Sequence, residues 1–262
     1  MKGRDIAIFM DGTWCDETDS YVTNILKMHR LTATHVTSLY FRGLGNEFDN
    51  NGVFGTITRL VRGAFGTSAK AKMEQAYEGI CSAWRPGDTL YLFGFSRGAA
   101  IARMLAAHIY EQGINGSKGY TIPIKFLGCF DTVASFGIPG NHINLFKDFR
   151  VAKNVHYARH AVAEDETRDM FPITQMNQRN GVRERWFRGD HMDIGGGHKD
   201  SGLSDITLKW MIEEAESLGL SFCQGWRSTV HENPCKVPEA HDGVFNTPRV
   251  PGHLIQDKFI RF

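Results

Sequence analysis

The sequence predicts an α/β fold in which a mostly parallel central sheet is covered by helices on both faces. Short apolar runs alternate with stretches of helical periodicity along most of the chain, and this alternation is typical of parallel strands joined by crossover helices. Polar residues follow directly after several of the apolar runs. Since the chemistry of such folds gathers at the carboxyl ends of the strands, we expect a functional site at that edge of the sheet.

Five runs are predicted to form strands. Residues 6–10 (IAIFM) are apolar throughout, which is typical of a strand buried on both faces, and they end at Asp11. The other runs are residues 37–41, residues 89–94 ahead of Ser96, residues 124–130 ahead of Asp131, and residues 184–187, which lead towards His191.

Helical periodicity predicts four helices, at residues 22–31, 68–84, 99–110 and 203–218. The second is stopped by the sequence RPGD at residues 85–88. The third ends before Gly113, a residue type that accepts the backbone conformation found just after a helix. Residues 221–262 are weakly patterned, and no structure is predicted for them.

The length of 262 residues and the lack of a Pro- or Ser-rich linker favour a single domain spanning residues 1–262. Lys and Arg total 30 against 29 Asp and Glu, so the charge balance does not indicate a nucleic-acid partner. The five cysteines are scattered and odd in number, and we expect reduced thiols. The first residues lack the apolar stretch and cleavage site typical of a secretory signal, and no stretch of the given sequence reaches the ~18 apolar residues that span a membrane, so we expect neither a signal peptide nor a membrane span. We expect the protein to be cytoplasmic as synthesised, with any export independent of an N-terminal signal.

Residues 94–98 (GFSRG) match the G-x-S-x-G pattern of a nucleophile elbow. In this motif a sharp turn from strand to helix lifts the serine hydroxyl above the sheet edge, and Gly94 and Gly98 avoid clashes with neighbouring elements. The weight of the match comes from the predicted strand before it and the predicted helix after it. We therefore predict an α/β-hydrolase fold with Ser96 as nucleophile. The alternative is a plain turn in which Ser96 caps the helix.

A serine nucleophile needs a base to take its proton and an acid to orient that base. In this fold the acid and then the histidine follow the serine along the chain. Asp131 fits the acid, although an aspartate there could instead cap the next turn. His191 fits the base because it follows a predicted strand. His253 also lies downstream of Asp131 and is the alternative base.

The oxyanion formed during ester cleavage needs backbone donors. The N–H of Arg97, directly after the nucleophile, is the first predicted donor, and Gly12 or Thr13 in the loop after the first strand is the second. We expect Asp11 to fix this loop without a part in the chemistry. This mechanism requires neither a metal nor another cofactor.

Six short motifs occur in order between residue 5 and about residue 215. They are FMDGTW (9–14), YFRGLG (40–45), GFSRGA (94–99), FDTV (130–133), DETR (165–168) and WFRGDHMDIGGG (186–197). Together they resemble the type VI secretion phospholipase effector (Tle) catalytic-domain family of α/β-hydrolases. The resemblance implies hydrolysis of a lipid ester, with a glycerophospholipid as the expected substrate and Ser96, Asp131 and His191 where the family's triad is expected. The chain departs from the family at Asp190, where members often carry valine or alanine.

The resemblance also implies the partners of the protein. They are a lipid or ester substrate, a membrane surface that is contacted transiently, and a cognate immunity or secretion protein.

Three other functions stay open on the sequence alone: a general short-chain carboxylesterase, a non-catalytic interaction module on a hydrolase fold, and a metal-dependent phosphohydrolase. The last is suggested by residues 189–193 (GDHMD), which match the G-D-x-x-D motif of metallophosphoesterases, with His198 and Asp200 as further ligand types. The companion motifs D-x-H and N-H-[DE], which complete a two-metal centre, do not occur in the sequence.

Overall fold

A single parallel sheet organises the protein in the computed structural model, which describes residues 3–13, 15, 17–44, 65–134, 150–168 and 171–236. Its strands are β1 (Asp5–Met10), β2 (Thr37–Phe41), β3 (Thr89–Phe95), β4 (Ile124–Phe130), β5 (Val155–Ala163) and β6 (Val182–Phe187). They lie in the order β2-β1-β3-β4-β5-β6, and every neighbouring pair is parallel. All five predicted strands are present in this sheet, together with one further strand, β5.

Helices cover both faces of this sheet. They are α1 (Asn24–Leu31), α2 (Phe65–Ala83), α3 (Arg97–Gln112), α4 (His191–Gly195) and α5 (Gly202–Ser217), with short 3₁₀ segments at Gly119–Thr121 and Trp226–Thr229. The four predicted helices are all present, with ends that differ from the prediction by at most three residues. Gly113 follows α3 with a φ of +77°, as its residue type predicted.

Strand β1 separates two hydrophobic cores, because successive side chains of a strand point to opposite faces. Ile6 and Ile8 pack into the core formed with α2 and α3, whereas Ala7 and Phe9 pack into the core formed with α1 and α5. The all-apolar sequence of this strand follows from its burial on both sides.

Strand β5 is absent from the sequence-based prediction, so the run predicted as the fifth strand is in fact β6. In the sequence of β5, Arg159 and His160 interrupt the run of apolar residues, so the strand does not show the apolar pattern by which the others were predicted. Both side chains are buried because partners from other elements satisfy them: Glu214 of α5 pairs with Arg159, and Glu184 of β6 pairs with His160. Such partners cannot be recognised from the strand's own sequence.

The order of the strands places the candidate site. The chain moves from β1 outward to β2 and then returns past β1 to β3, and a ligand crevice opens at the carboxyl ends of strands where the order reverses in this way. Asp11 and Ser96 follow the two strands at this point. Within the described ranges, no helix has the length and apolar character that crossing a membrane requires. The same ranges contain all five cysteines, and none of them forms a disulfide.

Candidate active site

The turn between β3 and α3 holds Ser96 in an unusual backbone conformation. Its φ of +57° and ψ of −124° are rarely adopted by residues with a side chain and cost about 1–3 kcal/mol. The turn is held by hydrogen bonds from the Ser96 N–H to the Phe130 carbonyl (3.0 Å) and from the Ala99 N–H to the Ser96 carbonyl (3.1 Å). The Ser96 side chain makes no capping hydrogen bond to α3, so it does not act as the helix cap that was the alternative interpretation.

The glycines on either side of Ser96 are required by close packing. A β-carbon on Gly94 would lie 2.5 Å from the Cα atom of Ala99, and one on Gly98 would lie 2.3 Å from the carbonyl oxygen of Met10. Both distances are well inside van der Waals contact. Helix α3 can therefore begin directly above the ends of β1 and β3 only because both positions lack a side chain.

His191 and Asp131 meet behind this turn. His191 is the first residue of α4, and its Nδ1 atom lies 2.6 Å from Oδ2 of Asp131, a fully buried carboxylate whose Oδ1 accepts the N–H of Ala163. Aromatic rings contact the imidazole, with centroids 4.6 Å away for Phe95 and 4.7 Å away for Phe171. The carboxylate can only accept, so Nδ1 carries a proton, and in the neutral imidazole Nε2 is then the basic nitrogen.

The residue Asp131 itself has a positive φ, of +36°. Its N–H donates to the carbonyl of Ala161 at 2.7 Å, and the N–H of Thr132 donates to Nε2 of His160 at 2.9 Å. Neighbouring β5 thus holds the turn in this conformation.

Asp11 fixes the loop after β1, as predicted from its position. Its buried carboxylate accepts the N–H of Gly12 at 2.7 Å and the hydroxyls of Thr23 and Tyr40, both at 2.8 Å. Burial raises the pKa of Asp11 to about 6, although the three hydrogen bonds oppose the rise. Since the Gly12 N–H already donates to Asp11, Thr13 is left as the candidate for the second oxyanion donor in this loop.

A cavity of about 370 Å³ opens at this edge of the sheet. Its lining residues are Gly12, Thr13, Cys15, Asp19, Ser20, Tyr21, Phe95, Ser96, Arg97, Phe171, His191, Met192 and Gly197. The loop after β1 comes close to the serine, because a β-carbon on Gly12 would lie 3.5 Å from Cβ of Ser96. The structure thus brings together the predicted serine, histidine and oxyanion-loop residues around one space. His253, the alternative base, lies outside the described residues.

Glu166 and Arg168 support the histidine, a role that was not predicted for either residue. Glu166 is fully buried, accepts the backbone N–H of His191 at 3.2 Å, and binds the Arg168 guanidinium through both oxygens, at 2.9 and 2.6 Å. Burial acts to raise the pKa of Glu166, but the hydrogen bonds and charge of Arg168 outweigh it and hold the pKa below its usual value. Arg168 also lies over the ring of Phe171, at 4.3 Å. The only signal for these residues was the motif DETR, which by itself resembles an exposed polar loop.

Asp190, Asp193 and His198 form the one set of grouped metal-ligand types found among the described residues, with ligand atoms within 4.8 Å of one another. The two aspartates already cap α4 reciprocally, each accepting the other's backbone N–H. The buried ammonium of Lys236 lies 2.8 Å from Asp193 and also donates to the carbonyl of Asp200. Helix capping and a buried ion pair therefore account for these carboxylates, including Asp190.

Comparison with known proteins identifies the family. Residues 4–121 and 111–214 match the family model described as T6SS, phospholipase effector Tle1-like, catalytic domain. The chain belongs to this family. The match runs from the start of the sheet into α5 and includes Ser96, Asp131 and His191. An uncharacterized protein of Saccharomyces cerevisiae is 28% identical to this Tle1-like domain over 221 residues, which is 65% of this chain and 32% of the yeast protein.

Solved structures show the same fold. An uncharacterized protein from Pseudomonas aeruginosa superposes with a TM-score of 0.64 at 19% identity, over 88% of this chain and 49% of that one. The Tle1 effector bound to the VgrG spike of the type 6 secretion system gives 0.51 at 21% identity, over 77% of this chain and 52% of that one. A putative hydrolase from Agrobacterium vitis S4 gives 0.52 at 12% identity, over 83% and 88%.

This Tle1-like domain has the predicted α/β-hydrolase fold, and its family and fold are those of lipase- and esterase-type hydrolases. It spans about half the length of the first two of these structures and about a third of the yeast relative.

Proposed function

We propose that this domain is a serine hydrolase that cleaves a carboxylic ester of a lipid, with a phospholipid as the expected substrate, through an acyl-enzyme intermediate. The observation that carries this proposal is the 2.6 Å contact between His191 and Asp131 beside a cavity that His191 shares with Ser96. An imidazole whose Nδ1–H is bound by a carboxylate can accept a serine proton at Nε2.

In the proposed first step, Nε2 of His191 takes the hydroxyl proton as Oγ of Ser96 attacks the ester carbonyl carbon. The N–H of Arg97, at the start of α3, and the N–H of Thr13 stabilise the resulting oxyanion. The carbon–oxygen bond to the alcohol then breaks, and His191 gives its proton to the leaving oxygen. In the second step His191 deprotonates a water that attacks the acyl-enzyme, which releases the carboxylic acid and restores Ser96.

The walls of the cavity support a lipid substrate. Tyr21, Phe171 and Met192 line it, and Tyr21 is 48% exposed, so an apolar surface extends from the cavity to solvent. Arg97 also lines the cavity, with its guanidinium 5.9 Å from the Phe171 ring, and burial lowers its pKa. An acyl chain and a negatively charged head group match this combination of apolar and cationic side chains.

We also propose, from the similar Tle1 effector structure that contains the VgrG spike, that this domain is carried by a secretion-system spike protein. Transient contact with a membrane surface follows from a lipid substrate. A pull-down with a VgrG-type spike protein tests the first proposal, and the absence of binding at low salt contradicts it.

A fluorophosphonate probe, which reacts covalently with activated serines, tests the enzyme itself. We expect wild-type protein and Ser20→Ala to be labelled and Ser96→Ala to remain unlabelled. Ser20 is a matched control because it is a second serine in the wall of the same cavity. If wild-type protein and Ser96→Ala both stay unlabelled, the domain is a non-catalytic interaction module.

Mass spectrometry of products then separates the two ester substrates. Release of fatty acid from mixed phospholipid vesicles by wild-type protein, but not by Ser96→Ala, supports the phospholipase. Turnover of soluble short-chain esters alone would make the protein a general carboxylesterase.

A further inference from the structure

His160 and Glu184 form a buried pair beneath the proposed site. They are register partners on neighbouring strands β5 and β6, His160 is fully buried, and its Nδ1 lies 2.7 Å from Oε1 of Glu184. The other ring nitrogen, Nε2, accepts the backbone N–H of Thr132 at 2.9 Å. A backbone N–H can only donate, so Nε2 carries no proton. His160 is therefore neutral, with its proton on Nδ1 pointing at Glu184.

The bond from Thr132 matters because of the residue before it. Asp131 has a φ of +36°, and a residue stays in such a conformation only when its surroundings hold it there. The N–H of Asp131 is fixed by the carbonyl of Ala161, and the N–H of Val133 by the carbonyl of Ser96. The N–H of Thr132, which lies between these two, donates to His160. His160 is therefore the side chain that fixes the peptide directly after the acid.

The His160–Glu184 pair also links the strand that precedes the acid to the strand that precedes the base. Asp131 follows β4 and His191 follows β6, with β5 between these strands. His160 connects the turn after β4 to Glu184 in β6. Oε1 of Glu184 in addition accepts the N–H of Met176, which lies five residues beyond the Phe171 ring that contacts His191.

We propose that His160, oriented by Glu184, is a positioning residue that sets the Asp131 turn so that the carboxylate meets Nδ1 of His191. The inference rests on the proposed roles of Asp131 and His191. His160 touches neither substrate nor serine and acts through the Thr132 N–H. A displacement of about 1 Å in a catalytic group can cost on the order of 10²-fold in rate, which sets the size of the expected effect.

Two substitutions at position 160 test the proposal. In His160→Gln the amide keeps one acceptor and one donor at a similar separation, whereas His160→Leu keeps neither. We expect His160→Leu to lower kcat by about 10²-fold with KM within about twofold, and His160→Gln to recover at least about tenfold of that loss. The acid limb of the kcat/KM pH profile should move to lower pH in His160→Leu, because a displaced carboxylate stabilises the His191 imidazolium less. A general loss of stability would not move this limb.

The matched control is Glu214→Gln, which removes the carboxylate partner of Arg159, the neighbour of His160 on β5, without touching the Asp131 turn. It should leave the pH profile at its wild-type position. A His160→Leu protein that is folded and has the wild-type pH profile overturns the proposal, as does a shift of equal size in Glu214→Gln.

Nitrogen-15 labelling of histidines provides a readout that does not require activity. We expect two low-field imidazole protons in the wild type, from Nδ1 of His160 and Nδ1 of His191. Glu184→Leu, which removes the acceptor that orients His160, should shift the His191 signal, whereas His160→Gln should shift it less. An unchanged His191 signal in Glu184→Leu overturns the proposal even if His160→Leu does not fold. If the proposed serine-hydrolase function itself were wrong, wild-type protein would not be labelled by the fluorophosphonate probe, so this outcome can be distinguished from failure of the His160 proposal.

Discussion

The Nδ1 atom of His191 lies 2.6 Å from Oδ2 of Asp131, and this contact joins the turn after β4 to the first residue of α4. Both side chains are buried, so the hydrogen bond is little weakened by water. A carboxylate in this place fixes the tautomer of the imidazole and stabilises the positive charge that forms when Nε2 accepts a proton.

Replacing Asp131 by Asn should lower kcat on the order of 10⁴-fold. The amide NH₂ group of Asn can face Nδ1 only if Nδ1 loses its proton, and the proton then moves to Nε2, where it blocks acceptance from Ser96. Steady-state kinetics together with a thermal melt test this. A folded Asp131→Asn protein with more than about a tenth of wild-type turnover would contradict the assignment of the acid.

Replacing His191 by Ala should cost on the order of 10⁴-fold or more in rate, because the serine then has no base. His253→Ala should keep near-normal turnover. Rates measured side by side for the two variants decide between the histidines, and the opposite pattern would make His253 the base.

Replacing Ser96 by Gly should abolish turnover and stabilise the fold relative to Ser96→Ala. Glycine adopts a φ of +57° without strain, whereas alanine retains the β-carbon that causes it. We expect a gain of about 1 kcal/mol and a melting temperature about 2–4 °C higher for the glycine variant, measured by calorimetry. Ser20→Gly and Ser20→Ala serve as the control pair, since Ser20 is not among the described residues with positive φ. Ser20→Gly should show no gain in stability over Ser20→Ala. Equal melting temperatures for the two Ser96 variants would mean that the turn stores no strain.

The raised pKa of Asp11 predicts a pH dependence of stability. The folded state binds the Asp11 proton more tightly than the unfolded chain, since the pKa is about 6 instead of 3.8. The free energy of unfolding of the wild type, relative to Asp11→Asn, should therefore fall as pH rises from about 4 to about 6 and stay level above that. The fall should be on the order of 3 kcal/mol. Urea unfolding of both proteins across this range measures it, and parallel stability curves would show that Asp11 does not titrate in this way.

Removing divalent cations should leave turnover unchanged. Asp190 and Asp193 are committed to capping α4, and Lys236 supplies the positive charge beside Asp193. Hydrolysis rates before and after dialysis against a chelator, with the metal content of the protein determined in parallel, test this. Activity that is lost on chelation and restored by Mn²⁺ or Ca²⁺ would favour the metal-dependent phosphohydrolase instead.

The sequence predicted the structure best where the backbone requires a particular type of residue, as in a buried strand or a tight turn. The apolar runs before Asp11, Ser96 and Asp131 predicted three strands of the sheet and thus the edge where these residues gather. The glycines at 94 and 98 indicated a turn that only they allow. Each of these signals is local, because a strand pattern or a missing side chain can be recognised within a few residues of the chain.

The supporting residues could not be predicted, because their roles depend on partners far away in the chain. Glu166 and His160 are polar residues in segments that suggest solvent exposure, yet both are fully buried. Glu166 is buried against the backbone of His191, and His160 is buried between Thr132 and Glu184. Only the three-dimensional arrangement of the strands reveals that these groups are satisfied.

The alignment of His160 with Glu184 also limits how the chain can change in length. Insertions between the two strands leave that alignment unchanged, and their effect depends instead on whether they move Glu166, Phe171 or Met176. One residue inserted inside β6 ahead of Glu184 would instead turn this side chain to the opposite face of the sheet, where it could not reach the histidine. A single residue inserted between Val182 and Glu184 should therefore break the contact with His160, and a scan of single-residue insertions across β6 would locate where that contact is lost.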